Sequence, residues 1–286
     1  MLIHDRSYQH WNGQFKSGHV NCWIVIARTE LELLAQRKFV RFIVAIPPLI
    51  YLVIHGVLVY LANYFPESTV LLKIDPKFFK QFLMRNPILP GFFIALIGVF
   101  SGANLISKDL RYNALSIYLS KPISWTDYLI GKISAIIVLL LMITGIPCLL
   151  LFIEHILLSS DLKFIMKNYW IVGSILLYSL IIIFPLSLLI ITFSSLTTNA
   201  RYAAMWFISV LLGTPILQEI IEKITRNRQT AIISIWENFD ILGTQLFGLT
   251  PEPKKPWVWS AAILVTIIVT CICILRRQLR FVHIRN

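Results

Sequence analysis

Six long stretches of this chain carry no charged side chain: Phe42 to Pro66, Asn86 to Ser107, Ile133 to Ile153, Asn168 to Ala200, Tyr202 to Gln218 and Pro256 to Leu275. About 20 mostly apolar residues are needed for a helix to cross a bilayer. Five of the stretches meet that length outright. The fifth in order lies at the lower limit, and Ile220 and Ile221 extend it beyond Glu219. Buried helices of a large soluble protein are the competing explanation. Only 14% of the 286 residues are charged, against roughly 25% in a typical soluble domain, and a chain of this length cannot wrap six such helices in polar structure. The expected fold is therefore all-α: a polytopic membrane protein in which residues 1–286 form one transmembrane domain of six transmembrane helices.

The net charge is +12. Nucleic acid is one partner for a basic chain, but orientation in a lipid membrane accounts for the charge better. Residues 1–20 are polar and lack the apolar core of a cleavable signal peptide, so the N-terminus is expected to stay in the cytoplasm. The segments 1–41, 108–132, 201 and 276–286 then face the same side. They hold 15 Lys/Arg against 5 Asp/Glu, while the other side holds 11 against 9, as the positive-inside rule requires. The basic tail 276–286 suits an anionic leaflet. Cys22, Cys148, Cys271 and Cys273 show neither a disulfide framework nor zinc-ligand spacing.

Within the cytoplasmic segment 1–38, residues Cys22 to Lys38 read as an amphipathic interfacial helix. Ile24, Ala27, Leu31 and Leu34 fall on one face, and Arg28 and Glu32 are spaced to pair on another. Pro47-Pro48 is expected to bend the first span or mark its start. His55, alone in that span, is expected to pack as a neutral side chain between helices. The second span is expected to end near Gly102 and Asn104, and the third to exit at Glu154-His155. Pro185 is the expected kink of the fourth span, and the fifth should end near Gln218-Glu219. Residues 220–255 alternate short apolar runs with charge. They form either a surface loop or a helical hairpin dipping into the outer leaflet, with Asn238, Gly243 and Gly248 near its bends. Span interiors of Leu, Ile and Phe with small polar residues such as Ser174, Ser179, Ser187 and Thr192 favour an apolar or amphipathic cargo, although helix packing uses the same small residues.

No enzymatic constellation is present. Gly131-Lys132 is the nearest approach to a phosphate loop, but Thr126 and Ile133 stand where Gly and Ser/Thr are needed. HExxH, GxSxG and an intramembrane carboxylate dyad are absent, and no cofactor is expected. Chemistry gives way to mechanics in the segment 107–124, which interrupts two spans. Ser107 to Leu119 can form a short helix, with Leu110, Ala114 and Ile117 on one side. Lys121-Pro122 stops it. Ser124-Trp125-Thr126-Asp127 has the form of a capping box that starts the third span, and Lys132 marks the membrane edge. A stop, a cap and a restart make a rigid handle by which a partner can tilt two spans.

The stretch ANLISKDLRYNALSIYLSKPISWTDYLIGK resembles the cytoplasmic loop of ABC-2-type permeases, the membrane subunits of a class of ABC transporters that are mostly exporters. The corresponding features are the acidic Asp109, a coupling helix over Arg111–Tyr118, the turn Tyr118-Leu119-Ser120-Lys121-Pro122-Ile123-Ser124, and Leu129-Ile130-Gly131-Lys132 entering the third span. Many members have Glu and a Gly-Thr pair early in this loop, where this chain has Asp109 and Asn113-Ala114. The loop covers about a tenth of the chain, and the family's topology matches in outline over nearly all of it. The resemblance implies a multi-pass permease in a prokaryotic cytoplasmic membrane with both termini cytoplasmic. It also implies a separate ATP-binding cassette ATPase subunit, a second permease subunit and a re-entrant outer segment. Asp109, Arg111, Asn113, Tyr118, Leu119, Ser120, Lys121 and Pro122 would form the ATPase-coupling interface. The rival reading from the residues alone is a non-transporting membrane anchor that recruits a cytoplasmic partner through this loop.

Overall fold

The computed structural model describes residues 21–64, 75–84, 90–114, 123–159, 169–226, 232–249 and 257–284. Among them the regular elements are all helical. Helix α1 (Cys22–Ala35) precedes the bundle. The spans are α2 (Lys38–Tyr64), α4 with a π turn and α5 (Pro90–Ile97, Gly98–Gly102, Ala103–Arg111), α6 with α7 (Trp125–Ile143, Gly145–Ser159), α8 (Trp170–Leu196), α9 (Ala200–Thr225) and α11 (Trp257–Ile284). Two further helices, α3 (Pro76–Met84) and α10 (Ile235–Leu246), lie in the connections between spans. Six helical segments are long and apolar enough to cross a membrane, so the chain is a multi-pass membrane protein.

Several boundaries differ from the sequence reading, each for a physical reason. The second span does not stop at Gly102. It passes through the π turn and continues as α5 to Arg111, so Lys108, Asp109 and Arg111 end the span rather than start a separate helix. A left-handed Asn113, φ 52°, then breaks the helical path. Helix α9 runs on to Thr225, and Glu219 and Lys223 form an exposed i,i+4 pair at 2.8 Å in this extension, with the lysine near the helix C-terminus. Pro47, Pro48 and Pro185 all lie inside continuous helices. In bundles of this kind, neighbouring helices and hydroxyl side chains take over the backbone groups that proline frees. Asn238 and Gly243 lie within α10, not at bends; of the three expected bend residues only Gly248, φ 63°, is at a turn.

Helix α8 is the hub. Its apolar stretch is 72% buried, compared with 17% in α9 and 22% in α11, and it packs against α5, α6, α7, α9, α10 and α11. The outer faces of α2, α9 and α11 present Leu49, Val53, Val57, Leu212, Ile216, Val265 and Val269, as suits side chains surrounded by acyl chains. Lipid is as apolar as these side chains, so the bundle is held by close packing and polar contacts rather than by expulsion of water. Ser179, Ser187 and Thr192 donate to carbonyls of their own helix, and Ser174 reaches Leu246 O of α10 at 3.3 Å. These hydroxyls therefore find their partners within the bundle, as the packing reading expects.

Candidate functional site

Because the spans alternate in direction, the starts of α2, α6 and α9 and the ends of α5 and α8 share one end of the bundle. Helix α1 lies across it. Gly131 of α6 permits that approach: a Cβ there would stand 2.7 Å from Ile26 Cγ2 and 3.0 Å from Trp23 O. The buried face of α1 is Ile26, Ala27 and Leu34, whereas Ile24, expected on that face, is 47% exposed. Arg28 and Glu32 pair on the outer side at 2.9 Å, as their spacing predicts.

Beneath α1 lies the one three-element charge cluster among the described residues. Lys132, one residue beyond Gly131, has a side chain only 2% exposed. Its Nζ is 2.5 Å from Glu30 Oε1 of α1 and 2.8 Å from Asp109 Oδ2 of α5, and it donates to Leu105 O at 3.1 Å. An ammonium has three donors, and all three are used. Tyr128, one turn earlier on α6, donates from its hydroxyl to the same Asp109 oxygen at 2.7 Å, and its ring centroid is 5.4 Å from Nζ. One lysine thus ties α1, the end of the second span and the start of the third.

The π turn brings Asp109 into this cluster. One extra residue per turn rotates everything after it by about 100° relative to an unbroken α-helix. A second anchor holds the rotated segment. Ser194 Oγ of α8 accepts from the N–H groups of Ile106 and Ser107 at 3.0 Å each and donates to Ala103 O at 2.8 Å. On the other flank of the 107–124 segment, Ser124 caps α6. Its Oγ accepts from Asp127 N at 3.1 Å, the N-cap contact the capping-box reading expects, and donates to Asp127 Oδ2 at 2.6 Å, so the carboxylate is held by the hydroxyl rather than by the Ser124 N–H.

The expected interface residues thus divide into three groups. Asp109 faces inward, with a side chain 14% exposed. Arg111 and Asn113 are exposed, with the Arg111 guanidinium 5.8 Å from the Tyr112 ring centroid. Tyr118, Leu119, Ser120, Lys121 and Pro122 lie outside the described residues. Lys132 is a buried hub and not simply an edge marker. Sequence reasoning missed Glu30 altogether, although a local signal existed. Ile26, Glu30 and Leu34 follow at i, i+4 and i+8, which sets a carboxylate on the buried stripe of α1.

Elsewhere His55 is packed as expected, with Nδ1 2.9 Å from Tyr51 O and its ring against Tyr51 and Phe82. Glu154 lies against Gly56, and His155 is buried. No group of three His, Cys, Asp or Glu among the described residues could hold a metal ion, and no disulfide links the four cysteines. At the far end of the bundle, Lys80 of α3 pairs with Asp240 of α10 at 2.8 Å and donates to Thr244 Oγ1 at 2.6 Å. Gly243 lets α10 approach the Tyr178 ring, which a Cβ would meet at 2.5 Å. An apolar cleft of about 510 Å³ lies between Phe184 and Pro185 of α8, Leu242 of α10 and Leu264 of α11. Neither a family model nor a curated protein matches this sequence.

Proposed function

We propose that this chain is the permease subunit of an ATP-driven transporter of the ABC-2 type, working with a separate ATPase subunit and a second permease. The observation that carries the reading is the Glu30–Lys132–Asp109 cluster at the root of the 112–124 segment. A handle works only if force on it moves the bundle. Here the two helices that enclose the handle are tied to one another, to α1 and, through Ser194, to the central helix α8. In this scheme the ATPase grips Arg111, Asn113 and Tyr118 to Pro122 on the cytoplasmic side. Asp109 acts as a positioning residue that keeps the base of the handle rigid. Closure of the ATPase pair then tilts α5 and α6 together and alternates access between the two faces, in the manner of rigid-body switching. The α1 end faces the cytoplasm, consistent with the excess of Lys/Arg there. The apolar cleft beside Pro185 suits an apolar or amphipathic cargo, and export is the direction the resemblance implies.

The test is purification of the tagged full chain from its own membranes in mild detergent, with identification of co-purifying proteins. A P-loop ATPase is expected in near-stoichiometric amount and should be lost in the double variant Leu119→Asp/Lys121→Glu. Asp109 is unsuitable for this purpose because its substitution disturbs the buried cluster. Absence of an ATPase from the wild-type preparation would overturn the proposal, as would equal recovery with the variant. A non-transporting anchor would bind its partner without coupling. The reconstituted complex should therefore show cargo-dependent ATP hydrolysis, and hydrolysis indifferent to every cargo class would favour the anchor.

A further inference from the structure

The same end of the bundle holds a cleft of about 470 Å³, lined on α5 by residues other than the Leu105 and Asp109 of the Lys132 cluster. Three separate chain segments contribute cations to it: Arg37 from the bend just before α2, Lys108 and Arg111 from the end of α5, and Arg201 from the start of α9. Among the described residues no carboxylate lines it, and none of these four cations is in an ion pair. Lys132 has two carboxylates, whereas among the described residues these four cations have none. Four exposed like charges gathered around one cleft raise the local positive potential, and an anion seated among them would be attracted by all four.

The lining also points to the class of anion. The π turn presents Phe100 O to a side chain instead of to the helix ladder alone. Arg37 Nη1 donates to it at 2.9 Å, which fixes the guanidinium at the mouth. Its remaining donors lie in a planar fork suited to phosphate oxygens. Phe100 itself is 41% exposed, and its ring packs on Phe39 with centroids 4.5 Å apart. Tyr112 also lines the cleft and is 66% exposed. Cations flanked by exposed aromatic rings at the end of membrane spans match the two halves of a phospholipid, an anionic headgroup above and acyl chains below. The N-terminal turn of α9 adds its dipole in the same sense, with the four side chains as the main source of positive potential.

We infer that this cleft binds the phosphate of an anionic phospholipid headgroup from the leaflet at the α1 end. The inference holds whether or not the chain is a permease. The test uses the detergent-purified full chain titrated with phosphatidylglycerol, and separately with phosphatidylcholine, in mixed micelles, with bound lipid counted by native mass spectrometry. Inorganic phosphate is added in a parallel series as a competitor. Lys108→Gln/Arg201→Gln should weaken phosphatidylglycerol binding by about tenfold or more, since each Lys or Arg near an anionic surface contributes a measurable share of the attraction. Lys38→Gln/Arg276→Gln removes the same charge from the same end outside the cleft and should change binding by less than about twofold. Lys108→Arg/Arg201→Lys keeps the charge and should retain binding, which separates loss of a site from loss of fold. Equal weakening by both neutralising pairs would overturn the inference in favour of diffuse attraction. Unchanged binding in Lys108→Gln/Arg201→Gln, or displacement of the lipid by inorganic phosphate at comparable concentration, would overturn it as well.

Discussion

Replacing Lys132 with methionine removes the cation while keeping most of the side-chain volume. Glu30 and Asp109 are then left facing each other. Their oxygens lie 2.5 and 2.8 Å from Nζ, so they are no more than about 5.3 Å apart. At an effective dielectric constant of about 20, two unit charges at that distance repel by about 3 kcal/mol. That agrees with the ~3–5 kcal/mol expected when one partner of a buried ion pair is deleted. The low end is appropriate, because the two carboxylates keep 13% and 14% side-chain exposure and water screens part of the repulsion. For a chain of this size about 3 kcal/mol corresponds to a fall in apparent Tm on the order of 6–12 °C, read by thermal unfolding of the detergent-purified protein. If the loss comes from stranded charge, then Lys132→Met/Glu30→Gln/Asp109→Asn should recover most of it, since removing a whole buried cluster is often close to neutral. The idea fails if the single variant melts within about 2 °C of wild type, or if the triple variant is no more stable than the single one.

Three further variants probe other joints. Ser194→Val removes an oxygen that serves two N–H groups and a carbonyl of α5; a loss of about 2 kcal/mol is expected, with faster amide exchange over 103–111 as the local readout. Gly131→Leu drives a side chain into Ile26 and the Trp23 carbonyl. It should lift α1 off α6 at a cost of about 1–3 kcal/mol, and a cysteine introduced at Ala27 should become reactive to a membrane-impermeant maleimide. Lys80→Met should leave the partly exposed Asp240 without its cation and lower apparent Tm by no more than about 4 °C, with Lys80→Met/Asp240→Asn restoring part of the loss. A double variant as unstable as Lys80→Met alone would locate the effect in packing rather than charge.

The parts of the fold that were legible in the sequence have few physical alternatives. A long charge-free apolar run has one way to cross a bilayer as a single segment, the helix, so all six spans were visible. The Arg28–Glu32 pair and the Ser124 cap rest on contacts three or four residues apart, and such contacts are written in local spacing. The Lys132 cluster rests on Glu30 and Asp109, which belong to other helices far from it along the chain, and local spacing does not carry such pairings. Its expression in the sequence was the single anomaly of Glu30 on an apolar stripe. The π turn was equally invisible, because Gly98-Val99-Phe100-Ser101-Gly102 reads as ordinary helix. Its consequence, that Asp109 turns inward, could not be anticipated from a pattern of period 3.6. Gly243 was read as a bend because glycine usually marks one, whereas here the missing Cβ makes room for Tyr178.

The cost of burying an ammonium and two carboxylates raises the question of what an apolar joint at the same place would lack. Between helices in lipid there is little hydrophobic drive to set one packing over another, and α1, which lies at the bundle end rather than through it, could slide along α6 with small loss of contact. A lysine whose donors are matched one to one by acceptors permits one arrangement. A shift of α1 by one helical turn, about 5.4 Å, would leave Glu30 and one donor unpaired in a site that water barely reaches. The cluster therefore sets register more than it adds stability, a role for which buried polar groups are best attested. In the proposed scheme, register matters most where the partner's force would enter. At the base of the 112–124 segment, the cluster ties the end of α5 and the start of α6 to α1. A triple apolar variant that melts like wild type but no longer couples a bound partner to bundle movement would separate these two roles. That outcome would place the value of Lys132 in geometry, and would be visible as cargo transport lost with ATPase binding retained.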